Sequence, residues 1–158
     1  MEIFQTFAEI SIGILGFTAI VIMFKADRSE WNHNIFNGLI SHSMQALLYS
    51  ILPFILDAYH CSAETIWLIC SAVLGAITFM QGIMVMVADK ISSMKIKLMM
   101  LTFATTISLL QLFNIIGILT FREKGPYLVG ITWHVIQSLI IFSMIVSQRS
   151  TNSTSSKN

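Results

Sequence analysis

Residues 3–24 read IFQTFAEISIGILGFTAIVIMF, a run of 22 positions with one charged side chain, Glu9. A helix needs roughly 20 apolar residues to cross the hydrocarbon core of a bilayer, so this stretch is long enough to span. A lipid-facing barrel strand would alternate apolar and polar side chains, and Ile20, Val21, Ile22, Met23 and Phe24 in succession do not. The run therefore reads as a transmembrane helix. Residues 35–56, 66–88, 98–121 and 127–146 read the same way. The expected fold is all-α, a polytopic transmembrane helix bundle of five spans occupying residues 1–147. A polar tail expected to be disordered follows at 148–158. Composition agrees, with 55% hydrophobic and 11% charged residues against about 25% charged residues in soluble domains.

The basic residues test the number of crossings, because cytoplasmic loops collect Lys and Arg. With five spans, one side receives Lys25, Arg28, Lys90, Lys95, Lys97, Arg149 and Lys157, and the other only Arg122 and Lys124. If residues 35–56 failed to cross, the bias would vanish, although Asn37, Ser41, His42, Ser43 and Gln45 make the first half of that stretch unusually polar. The pattern predicts an N-terminus outside and a cytoplasmic C-terminus, so the Asn152-Ser153-Thr154 sequon would escape glycosylation. Residues 3–24 lack a basic n-region and exceed the roughly 7 to 15 apolar residues of a signal-peptide core, so they are expected to remain in the mature protein. Tyr59, Trp67 and Tyr127 fall near the outer boundary, where amphipathic rings favour the headgroup layer.

Short loops leave no room for a soluble domain, so a site must lie among the helices or at their mouths. The chain has no glycine-rich phosphate loop, no His-Glu-x-x-His pattern and no Gly-x-Ser-x-Gly elbow. Nor has it a basic stretch interleaved with aromatic residues for nucleic acid. The expectation is a non-enzyme with no catalytic residue, metal or cofactor. Asp57, His60, Cys61 and Glu64 offer ligand types without a recognised spacing and read as a solvated outer turn. Cys61 and Cys70 stand too far apart along a helix for a disulfide, and Cys70 reads as packing.

Ionisable groups at membrane depth persist when they are paired, hydrated or used. Glu9, Asn114 and His134 each fall about 9 to 10 Å below the outer end of their span, at about 1.5 Å per residue. Gln45, Gln111 and Gln137 fall about 15 to 17 Å down, and His42 lower still. His42 with Gln45, Gln111 with Asn114, and His134 with Gln137 are spaced three apart and so share a helix face. The expected arrangement is a polar intramembrane layer of Glu9, Gln45, Gln111, Asn114, His134 and Gln137, with Glu9 accepting from Asn114 or His134. Such a layer is either interhelical glue or the lining of a hydrated path for protons or cations. His42, taken alone, reads as a structural histidine. Gly13 and Gly16 lie on the Glu9 side of the first span, where missing side chains admit another helix or another copy.

The segments Phe7-Ala8-Glu9-Ile10 and Gly16-Phe17-Thr18-Ala19-Ile20-Val21 resemble the first helix of a group of small, mostly uncharacterised bacterial integral membrane proteins. Leu52-Pro53, the run from Gln111 to Gly117 and the run from Pro126 to Trp133 extend the likeness over nearly the whole chain. It implies a five-helix protein of the bacterial inner membrane, with Glu9, Gly16, Gln111 and Asn114 at the group's polar and small positions. His42 and His134 stand outside that pattern. Two functions follow from the whole reading. One is an oligomeric channel or membrane effector that uses the polar layer. The other is a non-conducting partner or anchor, whose loops 25–34 and 89–97 dock a cytoplasmic protein or anionic lipid.

Overall fold

The computed structural model describes the backbone of residues 2–24, 33–87, 94–118 and 124–155. It is all-helical there, with α1 (Glu2–Phe24), α2 (His33–Ala58), α3 (Ala63–Val87), α4 (Met94–Ile116) and α5 (Lys124–Ser155). Each helix is long and apolar enough to cross a membrane. The side chains of Lys25, Arg28, Trp31, Lys90, Arg122, Arg149, Asn152 and Lys157, and most of loops 25–34 and 89–97, lie outside the described residues.

Local chemistry sets the helix ends. At the end of α2, His60 takes a left-handed φ of 58°. The His60 N–H then bonds Asp57 O at 2.9 Å and the Cys61 N–H bonds Leu56 O at 3.2 Å, the paired closure of a Schellman cap. Ser62 then caps α3, its Oγ accepting the Thr65 N–H at 3.3 Å. α4 stops at Ile116, short of the expected 121, because Gly117 adopts φ 76°. Gly117 and Ile118 then close a second Schellman cap on Asn114 O and Phe113 O. α5 continues as helix to Ser155, past residue 148 where the polar tail was expected to begin. No Gly or Pro interrupts that stretch, and adding a residue to an existing helix is far easier than starting one.

The chain forms two compact units, Met1–Ile51 with Ile131–Asn158, and Leu52–Gly130. α2 and α5 contribute residues to both. In the first unit Phe17 meets Phe142 edge to face at 5.2 Å, and Ile141 Cδ1 lies 3.5 Å from where a Cβ on Gly38 would stand. In the second unit α3 packs against α4. The buried stripe Ser71, Gly75, Thr78, Gly82, at steps of four, three and four residues, is a small-residue face of the kind that lets helix backbones approach closely in lipid. A Cβ on Gly82 would stand 2.9 Å from Ala104 Cβ, and one on Gly75 3.0 Å from Gln111 Cβ.

Hydroxyls inside the helices are mostly satisfied without crossing to a neighbour. Ser11, Thr18, Ser50 and Ser138 each donate to the carbonyl four residues earlier, at 2.7 to 2.9 Å, so an apolar helix carries them without a partner helix. Tyr127, expected near the outer boundary, is fully buried among its neighbours. Its ring packs on Trp67 at 6.2 Å and its hydroxyl bonds Cys70, so burial and a polar partner hold it inside. Cys61 and Cys70 are both free thiols.

Candidate functional site: a histidine pair between α2 and α5

In the first unit, His42 from α2 and His134 from α5 bring their Nδ1 atoms to 3.4 Å. Their ring centroids are 5.6 Å apart and their planes 33° apart, so the rings meet by their nitrogen edges and do not stack. His134 is fully buried and His42 half-buried. Tyr49, two turns along α2 from His42, lays its ring 5.3 Å from that of His134. If the two nitrogens share a hydrogen bond, one ring presents Nδ1–H and the other a lone pair.

Each histidine is followed one turn along its helix by a glutamine. Gln45 follows His42 and Gln137 follows His134 at the same three-residue step, so each shares its histidine's helix face. Gln45 uses Nε2 in a long 3.4 Å contact to Ser41 Oγ. The Oε1 atoms of Gln45 and Gln137, and the Oγ of Ser43, are buried without a hydrogen-bond partner among the described residues. Buried polar atoms are paired in the large majority of cases, and the exceptions ask for an explanation such as an ion or water.

The second unit treats its amides differently. Asn114 Nδ2 donates to Ser71 Oγ across α3 and α4 at 2.8 Å, and Gln111 Nε2 donates to Pro126 O at 2.7 Å. Ser108 Oγ reaches Gly75 O at 3.1 Å as well as Ala104 O in its own helix. Gln111 Oε1 has no partner among the described residues, but both amides are anchored through nitrogen to another helix.

Glu9 does not take up the acceptor role expected of it. Its Oε1 accepts from Gln5 Nε2 in the same helix at 3.1 Å, and the residue is exposed. The reason is angular: α1 buries Phe4, Ser11 and Thr18, a seven-residue repeat along one side. At about 100° per residue, Glu9 and Gly13 fall about 140° to 180° away from Phe4. Gly13 and Gly16 follow Glu9 outward, with nothing among the described residues within 4 Å of where a Cβ would stand.

His42 takes a larger part than its sequence context alone suggests. Counting depth from each span's outer end set it about 10 Å below His134, whereas the two are in contact. The count assumes upright helices ending at one level, and tilt or axial offset removes that assumption. The signal was present in the repeated His-x-x-Gln step on α2 and α5. Among the described residues no three His, Cys, Asp or Glu side chains gather to hold a metal, the outer turn with Asp57, His60, Cys61 and Glu64 included. Compared with known protein families, with functionally described proteins and with solved structures, the chain matches none.

Proposed function

We propose that this is a small multi-pass protein of the bacterial inner membrane that assembles from several copies and passes protons or other small cations past the His42–His134 pair. The observation that carries the reading is the unpartnered oxygens on the two histidine-bearing faces. A hydrated or ion-visited site keeps such acceptors available, and here they share helix faces with two histidines in contact, unlike the equally unpartnered Gln111 Oε1 of the second unit. Histidines at membrane depth are also a usual element of proton relays. Self-assembly is supported by α1, whose exposed side carries Gln5, Glu9, Gly13 and Gly16, groups that gain from a helix partner and little from lipid. The charge pattern of the loops supports an outer N-terminus and a cytoplasmic C-terminus.

The test is proton flux into liposomes under an imposed potential, with the protein inserted in both orientations. His42→Ala and His134→Ala should each lower flux at least tenfold, while Ser71→Ala, a packing change in the second unit, leaves it within twofold. Wild-type vesicles no leakier than empty ones would overturn the reading in favour of a non-conducting anchor or partner subunit.

A further inference from the structure

We infer that His42, His134, Gln45 and Gln137 form a reversible site for a zinc-type transition-metal cation. The inference uses the same side chains as the proposed pathway but does not require conduction.

The distance between the two nitrogens is the first argument. At 3.4 Å the two nitrogens stand at the long end of hydrogen-bonding distance, so the bond between them is a weak one. Two imidazole nitrogens each about 2.05 Å from one tetrahedral zinc ion stand about 3.35 Å apart, with ring centroids about 5.3 Å apart. The observed separations are 3.4 Å and 5.6 Å. The side chains thus already stand near the edge length of a coordination tetrahedron, from two different helices.

The second argument is the supply of further donors. Gln45 Oε1 and Gln137 Oε1 are buried, have no hydrogen-bond partner among the described residues, and follow their histidines at the same step on facing helices. Inward-facing ligand pairs at a three-residue step on neighbouring helices are a known way for helical bundles to build metal sites. Two imidazoles and two amide oxygens make a donor set suited to a borderline metal. The set is also electrically neutral, so a bound divalent ion keeps its charge at membrane depth. That makes the site weak and exchangeable, which is the requirement for an ion that enters and leaves.

The experiment uses full-length protein in detergent, carrying a purification tag without histidines and freed of metal by a chelator. Co2+ is the spectroscopic probe and Zn2+ the competitor. One Co2+ per chain should bind with the intense visible absorption of tetrahedral cobalt, and Zn2+ should displace it. His42→Ala and His134→Ala should weaken binding at least a hundredfold, and Gln45→Leu with Gln137→Leu about tenfold. His60→Ala with Cys61→Ser, which removes rival ligands in the outer turn, should leave binding unchanged. Because a histidine-to-alanine change can also disturb packing, His42→Cys gives a positive test: it should keep the metal and add a thiolate-to-cobalt charge-transfer band. Absence of the tetrahedral spectrum, binding that survives loss of either histidine, or no new band in His42→Cys would overturn the site. Flux without metal binding would refute this inference alone, and metal binding without flux would refute the conduction reading alone.

Discussion

The two compact units place similar polar residues in apolar helices and use them in opposite ways. In residues 52–130, Asn114 and Gln111 each send an amide nitrogen to a neighbouring helix at 2.8 and 2.7 Å, alongside a glycine stripe that brings α3 and α4 close. In residues 1–51 with 131–158, two histidines meet at 3.4 Å and the adjoining glutamine oxygens stay unpartnered among the described residues. The first arrangement is what holding helices together requires in lipid, where apolar surfaces gain little from one another and close packing with hydrogen bonds must suffice. The second bonds more weakly across its helices, through the one 3.4 Å histidine contact. Sites that violate the local rules of satisfaction, beside a region that obeys them, are where function is expected.

The largest stability effect should come from the unit that behaves as packing. Gly82→Leu would drive side-chain atoms into Ala104 and Leu101, where even a Cβ would already stand 2.9 and 3.3 Å away. The expected cost is about 3 kcal/mol, read as a lower unfolding midpoint when helicity is followed in an SDS titration. A midpoint shift under a third of that size would mean that α3 and α4 are not held by this stripe, and the contrast between the units would lose one side.

A smaller effect tests the amides directly. Asn114→Ala removes the bond to Ser71 and should cost about 1 kcal/mol, the usual scale for interhelical bonds in membranes. Gln137→Leu removes an oxygen with no hydrogen-bond partner among the described residues, so its stability should stay within about 0.5 kcal/mol of wild type or rise. Equal losses in the two variants would show that Gln137 is bonded as firmly as Asn114, and the site in the first unit would then be ordinary packing.

The number of helices and their apolar character were legible because length and composition alone decide them: α1 to α5 fall on the five stretches read from hydropathy. Helix ends were less legible, since the Gly117 and His60 caps depend on φ values that apolar content does not encode. The polar layer was legible as a set of residues but not as a set of contacts. Its members were assigned by depth, whereas contact depends on the azimuth around each helix. Glu9 illustrates this: its depth matched Asn114 and His134, but Phe4, Ser11 and Thr18 fix the inner side of α1, and Glu9 lies on the other. Azimuth likewise separates Gly13 and Gly16, on the outer side of α1, from Gly75 and Gly82, whose steps of four, three and four from Ser71 are visible in the sequence.

Glycine substitutions on α1 carry the smallest expected effect on the folded chain and so give the sharpest contrast with Gly82. Nothing lies within 4 Å of a Cβ at Gly13 or Gly16, and Ala exceeds Gly in helix propensity by up to about 1 kcal/mol. Gly13→Ala with Gly16→Ala should therefore leave the unfolding midpoint unchanged or slightly raised. If that face meets a second copy, larger side chains should still matter there. Gly16→Leu is expected to leave the single chain folded while lowering the assembled fraction in chemical cross-linking of native membranes, and Glu9→Gln should change that fraction less, because an amide can still accept from Gln5. Should Gly16→Leu unfold the chain as readily as Gly82→Leu, the outer face of α1 would be an internal contact, and the case for assembly through it would fail.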